Sequence, residues 1–293
     1  RLEGVTRAGR LRSRFVHYFV RRRRWLGLSY ETPQPLYDTT GFTNNKGSVQ
    51  LPDGRFATIS SNGTGLTNDA PFSNEIAPDV IGKIAWDPAW GHYEAEGILH
   101  FPHDRVATTG AGHNNTAIAG GGGGSMVLPV IPQKVEVRLS GLAGVGIGRY
   151  GSVLLPDATL KANGEPAPIP SVQATGGIIA HPNQRIDVYG YFGYQAAGRR
   201  YSNYGEGAYG YGNPAYSNLG CGVELSNDCT ANTRSVMEAT IGAWYRFFKG
   251  KYGTVEAGAQ LAYSRKEAWK GQGGAPETNM SEIFLDFRYL PFQ

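Results

Sequence analysis

The chain has 293 residues, with 28 Lys and Arg against 24 Asp and Glu, for a formal net charge of +4. Charged residues make up 18% and aromatics 12%, with 42 glycines and 17 tyrosines, where soluble domains average about 25% charged and roughly 7% Gly. No run of about 18 apolar residues exists, which excludes a transmembrane helix; a mean hydropathy of −0.35 fits a wall of alternating apolar and polar residues, although a soluble β-sandwich would average the same.

The first segment is basic. Arg10, Arg12 and Arg14 occupy alternate positions, so a strand there projects a cationic ladder to one side, while Arg21 to Arg24 read as a solvated turn. Further on, Val80, Gly82, Ile84 and Trp86 oppose Ile81, Lys83 and Ala85. Tyr93, Ala95, Gly97, Leu99 and Phe101 then oppose Glu94, Glu96, Ile98 and His100. Gly120 to Gly124 reads as a strand of little bulk or a loop entering one. Val135, Val137 and Leu139 oppose Lys134, Glu136, Arg138 and Ser140; Ile186, Val188, Gly190, Phe192 and Tyr194 oppose Arg185, Asp187 and Gln195.

Val236 to Phe248 also fits a helical stripe. A strand is nevertheless predicted, because Met237, Ala239, Ile241, Ala243, Tyr245 and Phe247 alternate and a tight turn follows at Phe248 to Lys251. Val255, Ala257, Ala259, Leu261 and Tyr263 alternate with Thr254, Glu256, Gly258, Gln260, Ala262 and Ser264. Last, Ile283, Leu285, Phe287 and Tyr289 oppose Glu282, Phe284, Asp286 and Arg288. Period two over this length is what a tilted membrane-crossing strand needs.

Connector lengths alternate. Short turns are expected near Val20 to Arg24, Asp87 to Ala89, Ile131 to Gln133, His181 to Asn183 and Phe248 to Lys251. Long polar connectors are expected at Pro33 to Pro78, Pro102 to Asn114, Gly151 to Pro170, Gly198 to Thr233 and Lys266 to Asn279. Outer-membrane barrels segregate short periplasmic turns from long extracellular loops in this way. The count is about eleven strands, near 10–20, 24–32, 79–87, 90–101, 115–130, 133–150, 171–181, 184–197, 234–247, 252–265 and 280–290. Bacterial barrels have an even number with both termini inside, so the odd count, together with a start at Arg1 without a leader, predicts at least one strand upstream. The expected organisation is one antiparallel transmembrane β-barrel over 1–293, N-terminally truncated, with 198–233 a long extracellular loop. Trp86, Trp90, Phe247, Tyr252, Tyr289 and Phe292 fall at the short-turn end, where an interfacial aromatic girdle belongs.

Cys221 and Cys229 lie inside that long loop. Their spacing suggests a small disulfide-closed loop in an oxidising compartment, with two unpaired thiols as the alternative.

Several stretches resemble a family of poorly characterised bacterial porin-like outer-membrane proteins: Trp25 to Ser29, Glu75 to Asp79, Trp86 to Gly97 (WDPAWGHYEAEG), Leu139 to Gly151 (LSGLAGVGIGRYG), Gly210 to Pro214 and, most closely, the run from Trp244 onward. The resemblance spans Trp25 to the end and implies an outer-membrane barrel, without a substrate. It departs in the basic stretch from Arg10 to Arg24, and in Gln293 following Phe292 where such chains commonly end on an aromatic.

The functional candidates are in-phase charges opposite the apolar positions: Lys83, Glu94, Glu96, Lys134, Glu136, Arg138, Arg185, Asp187, Glu238, Arg246, Glu256, Asp286 and Arg288. A water-filled pore uses such charges to set ion preference; paired across a narrow barrel, they would instead conduct nothing. His100, His103, Asp104 and His113 straddle a strand end and a glycine-rich loop, a poor arrangement for a metal's convergent ligands. Gly146-x-Gly148-x-x-Gly151 matches the dinucleotide pattern in form only, because no helix is expected to follow it. The reading is therefore a non-enzymatic porin-like channel in the bacterial outer membrane, passing small polar solutes. It has the lipid bilayer as surroundings, no cofactor, no metal and no nucleic acid, and it leaves room for a homo-oligomer. A non-conducting structural or adhesive barrel and a secreted soluble carbohydrate-binding β-protein are the alternatives.

Overall fold

A computed structural model describes residues 14–21, 23–31, 34–45, 47–62, 71–73 and 75–291. Arg10, Arg12 and Phe292 lie outside the described residues. The fold is all-β; the sole helical element among the described residues is a 3-10 turn at Gly148–Tyr150. The main strands are β1 (Arg14–Arg21), β2 (Arg24–Glu31), β3 (Asp79–Trp86), β4 (His92–His100), β5 (Ala119–Ile131), β6 (Val135–Val145), β7 (Pro170–Asn183), β8 (Ile186–Ala197), β9 (Thr233–Gly250), β10 (Gly253–Ala268) and β11 (Glu277–Pro291).

These eleven form one sheet in sequence order, each antiparallel to its neighbours. The expected strands are all present, and the segment with helical periodicity is the 18-residue β9. Closure is a different matter. It needs the first and last strands to hydrogen-bond to each other, and among the described residues β1 and β11 are the two edges of the sheet. The expectation of a closed barrel is thus met only as an eleven-stranded antiparallel meander.

Alternation dictates the two faces. Leu26, Leu28, Ile84, Leu99, Leu139, Val172, Ile178, Phe192, Ile241, Leu261, Ile283 and Leu285 all project from one face and are exposed. Leu285 is 82% exposed and Ile283 73%. No second sheet or helix covers them among the described residues. The opposite face carries Lys83, Glu94, Gln173, Gln195, Glu238 and Glu256, partners in adjoining rows of the ladder. Gly121 and Gly123 of the five-glycine run of β5 lie on this face too. A Cβ at Gly121 or Gly123 would run into the carbonyl oxygen of Ala143 or Gly141 on β6, so the close approach of these strands admits no side chain.

The hydrophobic core is elsewhere. The short turns (87–91, 132–134, 184–185 and 251–252) lie at one end, and the long connectors form a cap at the other. These connectors, expected only to be long and polar, contain short strands of their own. One sheet pairs Ala111–Thr116, His103–Thr108, Phe56–Thr58, Ser48–Gln50 and Thr43–Asn45; another pairs Pro166–Pro168, Ala158–Leu160 and Tyr37–Asp38. Val49, Leu51, Ala57, Ile59, Val106 and Leu160 pack into one buried cluster. Leu155, Ile169, Ala197 and Tyr211 form a second, closed by Trp269. Gly198 to Thr233 contains a hairpin, Arg200–Tyr204 with Gly207–Tyr211, followed by a loop closed by the Cys221–Cys229 disulfide. The predicted strand 133–150 stops at Val145, because the chain turns there at Gly146 (φ 73°) to leave the sheet.

Candidate functional site

The register aligns the polar face in rows. One row runs Glu94, Ser125, Ser140, Thr175, Gly193, Glu238, Ser264 across seven strands, and the next runs Glu96, Gly123, Leu142, Gln173, Gln195, Val236, Lys266. The predicted charges sit on this face with two exceptions. Lys134 and Arg185 fall in short turns, because register shifts at Leu128/Ile131 and Ala180/Asn183 end the regular ladder before them. Most of the others are paired: Lys83 to Glu94 at 2.7 Å, Arg138 Nε to Glu136 at 2.8 Å, Arg246 to Asp187 and, at 3.4 Å, to Glu256, and Arg288 to Asp286 at 3.2 Å. Glu96 and Glu238 form no ion pair among the described residues, although Glu96 lies across from Lys83 in the register; Glu238 accepts from the Ser264 hydroxyl at 3.1 Å.

Aromatic rings lie flat on this face over cross-strand glycines. Tyr191 covers Gly177, Tyr189 covers Gly242, and Trp244 covers Gly258. The Tyr189 hydroxyl reaches past Gly242 to Gln260 at 2.9 Å. The Arg288 guanidinium stacks 3.7 Å from the Trp244 ring, a cation–π contact.

The connector between β6 and β7 returns over this face instead of staying in the cap. Gln195, only 5% exposed, grips it at two points. Its Oε1 accepts from Val153 N–H at 2.9 Å, and its Nε2 donates to the Gly148 carbonyl at 3.1 Å. Gly151 lies against that amide so closely that any side chain there would collide with it. Gln173 donates to the Tyr150 carbonyl at 3.2 Å. Ile147 packs with Ile98 and Leu142 beneath the loop.

The loop's base is held by charge. Asp79, fully buried at the start of β3, accepts from His100 Nδ1 at 2.6 Å, from the Tyr150 hydroxyl at 2.6 Å and from Arg149. Buried Asp157 accepts from the Arg149 and Leu36 backbone N–H groups at 2.9 and 2.8 Å. Burial pushes the Asp157 carboxyl up to about 6 against those bonds. Nearby Glu75 accepts from His103 N–H at 2.9 Å, and burial, aided by the charges of Asp79 and Asp157, raises it to about 8.

Two cavities flank the loop, sharing Ser152, Gln173 and Thr175 on their walls. The polar face here presents hydroxyls, amides and carboxylates beside a fixed backbone. Sequence reasoning had Gln195 only as a polar position and missed Asp79, Arg149 and Tyr150. The last two lie in the glycine-rich stretch noted for its resemblance, and nothing in their spacing announced a return over the sheet.

No family model and no curated protein matches the chain. A solved structure does: the outer membrane channel DcaP of Acinetobacter baumannii, at a TM-score of 0.57 and 10% identity, over 94% of this chain. The likeness is one of fold. The chain spans 62% of the length of that neighbour.

Other candidates take separate places. His103 Nδ1 meets the Thr116 hydroxyl at 2.8 Å and Asp104 accepts from Asn115 at 2.9 Å, while His100 serves Asp79; the histidines do not converge. No group of three metal-ligating residues is found among the described residues. At the short-turn end Trp86, Trp90 and Tyr93 cluster with centroids 4.7–5.7 Å apart. There too Phe247 meets Phe287 at 5.9 Å, and the Tyr289 hydroxyl donates to the Tyr252 carbonyl at 2.6 Å.

Proposed function

We propose that the sheet is the wall of a porin-like channel in the bacterial outer membrane, closed around a polar lumen through which small polar solutes diffuse without covalent chemistry. The carrying observation is the uncovered apolar face. Large patches of that kind on soluble proteins mark contacts with membrane or protein, and here the apolar positions recur in phase along the strands. Short turns on one side and a folded cap on the other agree with periplasmic and extracellular ends. The exposed Trp86, Trp90 and Tyr252 suit the periplasmic interface. The fold of a known outer membrane channel supports the same reading. On the lumen side, the β6–β7 loop narrows the path and the paired charges set its field at short range.

The purified protein, inserted into planar bilayers, is expected to give discrete ohmic current steps. Protein that inserts and stays silent would leave the non-conducting barrel as the better reading. Protein that stays soluble and monomeric without detergent would remove the membrane assignment altogether.

A further inference from the structure

The cavity on the β4 side of the loop encloses about 330 Å³, near the lower end of small-molecule sites. Its polar groups are one-sided. Glu96, Ser140, Ser152 and Thr175 face it, and among the described residues neither the Glu96 carboxylate nor the three hydroxyls have a hydrogen-bonding side-chain partner. Gln173 spends its amide N–H on the Tyr150 carbonyl and keeps its oxygen. Lys83, the nearby cation, is already bound to Glu94, which also accepts from Ser125 at 3.2 Å. After this pairing the cavity presents, among hydroxyl groups, a carboxylate that has Lys83 across from it but no ion pair of its own among the described residues, with the Leu142 side chain and Tyr150 for apolar contact. Past Ser152 the second cavity, about 280 Å³, repeats the pattern with Glu238, Thr240 and Thr175.

We infer that the paired cavities beneath the β6–β7 loop bind a small solute carrying both a protonated amine and hydroxyls, of monosaccharide size. Glu96 takes its ammonium first and Glu238 next. The inference rests on the channel reading for its role in passage, but not for binding itself. An ammonium–carboxylate hydrogen bond is stronger than a neutral one, so charge distinguishes this solute from an isosteric neutral sugar, and the hydroxyl-lined walls distinguish it from a bare cation.

The probes are glucosamine, glucose and potassium ion, used on the full chain. In single-channel recordings glucosamine is expected to produce resolved blockades, and glucose, the neutral sugar of the same size, none at equal concentration. Glu96→Gln should shorten the blockades about tenfold or more, and Glu238→Gln by less. Saturation-transfer NMR on the detergent-solubilised chain reads the same binding without current. Glucosamine bound in the micelle by a chain that never conducts would uphold the site and refute the channel. A conducting chain that treats the two sugars alike, or in which neither Glu96→Gln nor Glu96→Ala alters glucosamine blockade, overturns the inference and leaves the channel standing. Blockade by glucosamine matched by potassium alone at the same charge concentration also overturns it.

Discussion

Replacing Gln195 by Ala should free the middle of the β6–β7 loop while leaving its base attached. Two hydrogen bonds are lost, at 2.9 Å to Val153 N–H and 3.1 Å from Nε2 to the Gly148 carbonyl. Each such bond is worth roughly 0.5–1.5 kcal/mol net, so the pair contributes about 2 kcal/mol, or about a 30-fold shift in the local open-to-closed equilibrium. The base holds because Asp79 still binds Arg149 and Tyr150, and Asp157 still accepts from Leu36 and Arg149. Hydrogen–deuterium exchange of the peptide covering 147–157 is the assay. The Val153 amide should exchange about 30-fold faster, with β7 and β8 unaltered. Gly151→Ala should have a similar effect, because its methyl would displace the Gln195 amide. The two changes attack one contact, so the double variant should gain little over either single one. Unchanged exchange in Gln195→Ala, or full additivity of the two, would refute the pinning by Gln195.

Two further outcomes concern the cap. Glu75 at about 8, Asp104 at about 7 and Asp157 at about 6 are all raised, burial being the largest cause in each case. Each folded carboxyl holds a proton that the unfolded chain gives up near pH 4–4.5, so the cap loses stability as pH rises from about 4.5 through about 8. Exchange protection factors in 34–62 and 101–117 should therefore fall between pH 5 and pH 9, and Glu75→Gln should flatten the upper part; protection that grew with pH would contradict the burial of these groups. Reducing Cys221–Cys229 releases an eight-position crosslink, worth about 2.5 kcal/mol by chain entropy. The amides of Gly220 and Thr230, bonded to the Asp228 and Ser217 carbonyls at 2.8 and 2.9 Å, should then exchange faster while β9 and β10 do not, a loss that fluorescence-detected melting of the wall would miss.

The eleven strands were legible because period two is a direct record of one face greasy and the other wet, and it persists along β10 and β11 without interruption. The phase of Glu96, Glu238 and Glu256 followed from it. Lys134 and Arg185 were misplaced because the same phase was carried through register shifts that periodicity does not reveal. The cap's strands were illegible for a different reason: Phe56–Thr58 and Ala158–Leu160 are three residues long, too short to show any period, and their burial comes from partners far along the chain. Asp79 illustrates the limit best. It reads as an ordinary strand-initial aspartate, and only the return of Arg149 and Tyr150 from 70 residues on turns it into the loop's anchor.

The division of apolar residues within the chain argues against a soluble protein that merely failed to cover itself. The cap buries Leu160, Ile169 and Val106 almost completely, so the chain has the means to build a core in water. The wall does not use those means: Leu261 is 54% exposed and Leu285 82%, at about 1.5–3 kcal/mol for each such side chain left in water instead of buried. Repeated over every strand, the burial forgone exceeds the roughly 5–15 kcal/mol of net stability a folded domain has. The sheet therefore has that much to gain where something apolar meets its outer face. The polar face, whose charges are mostly neutralised in pairs and overlaid by a pinned loop, is the side left for water.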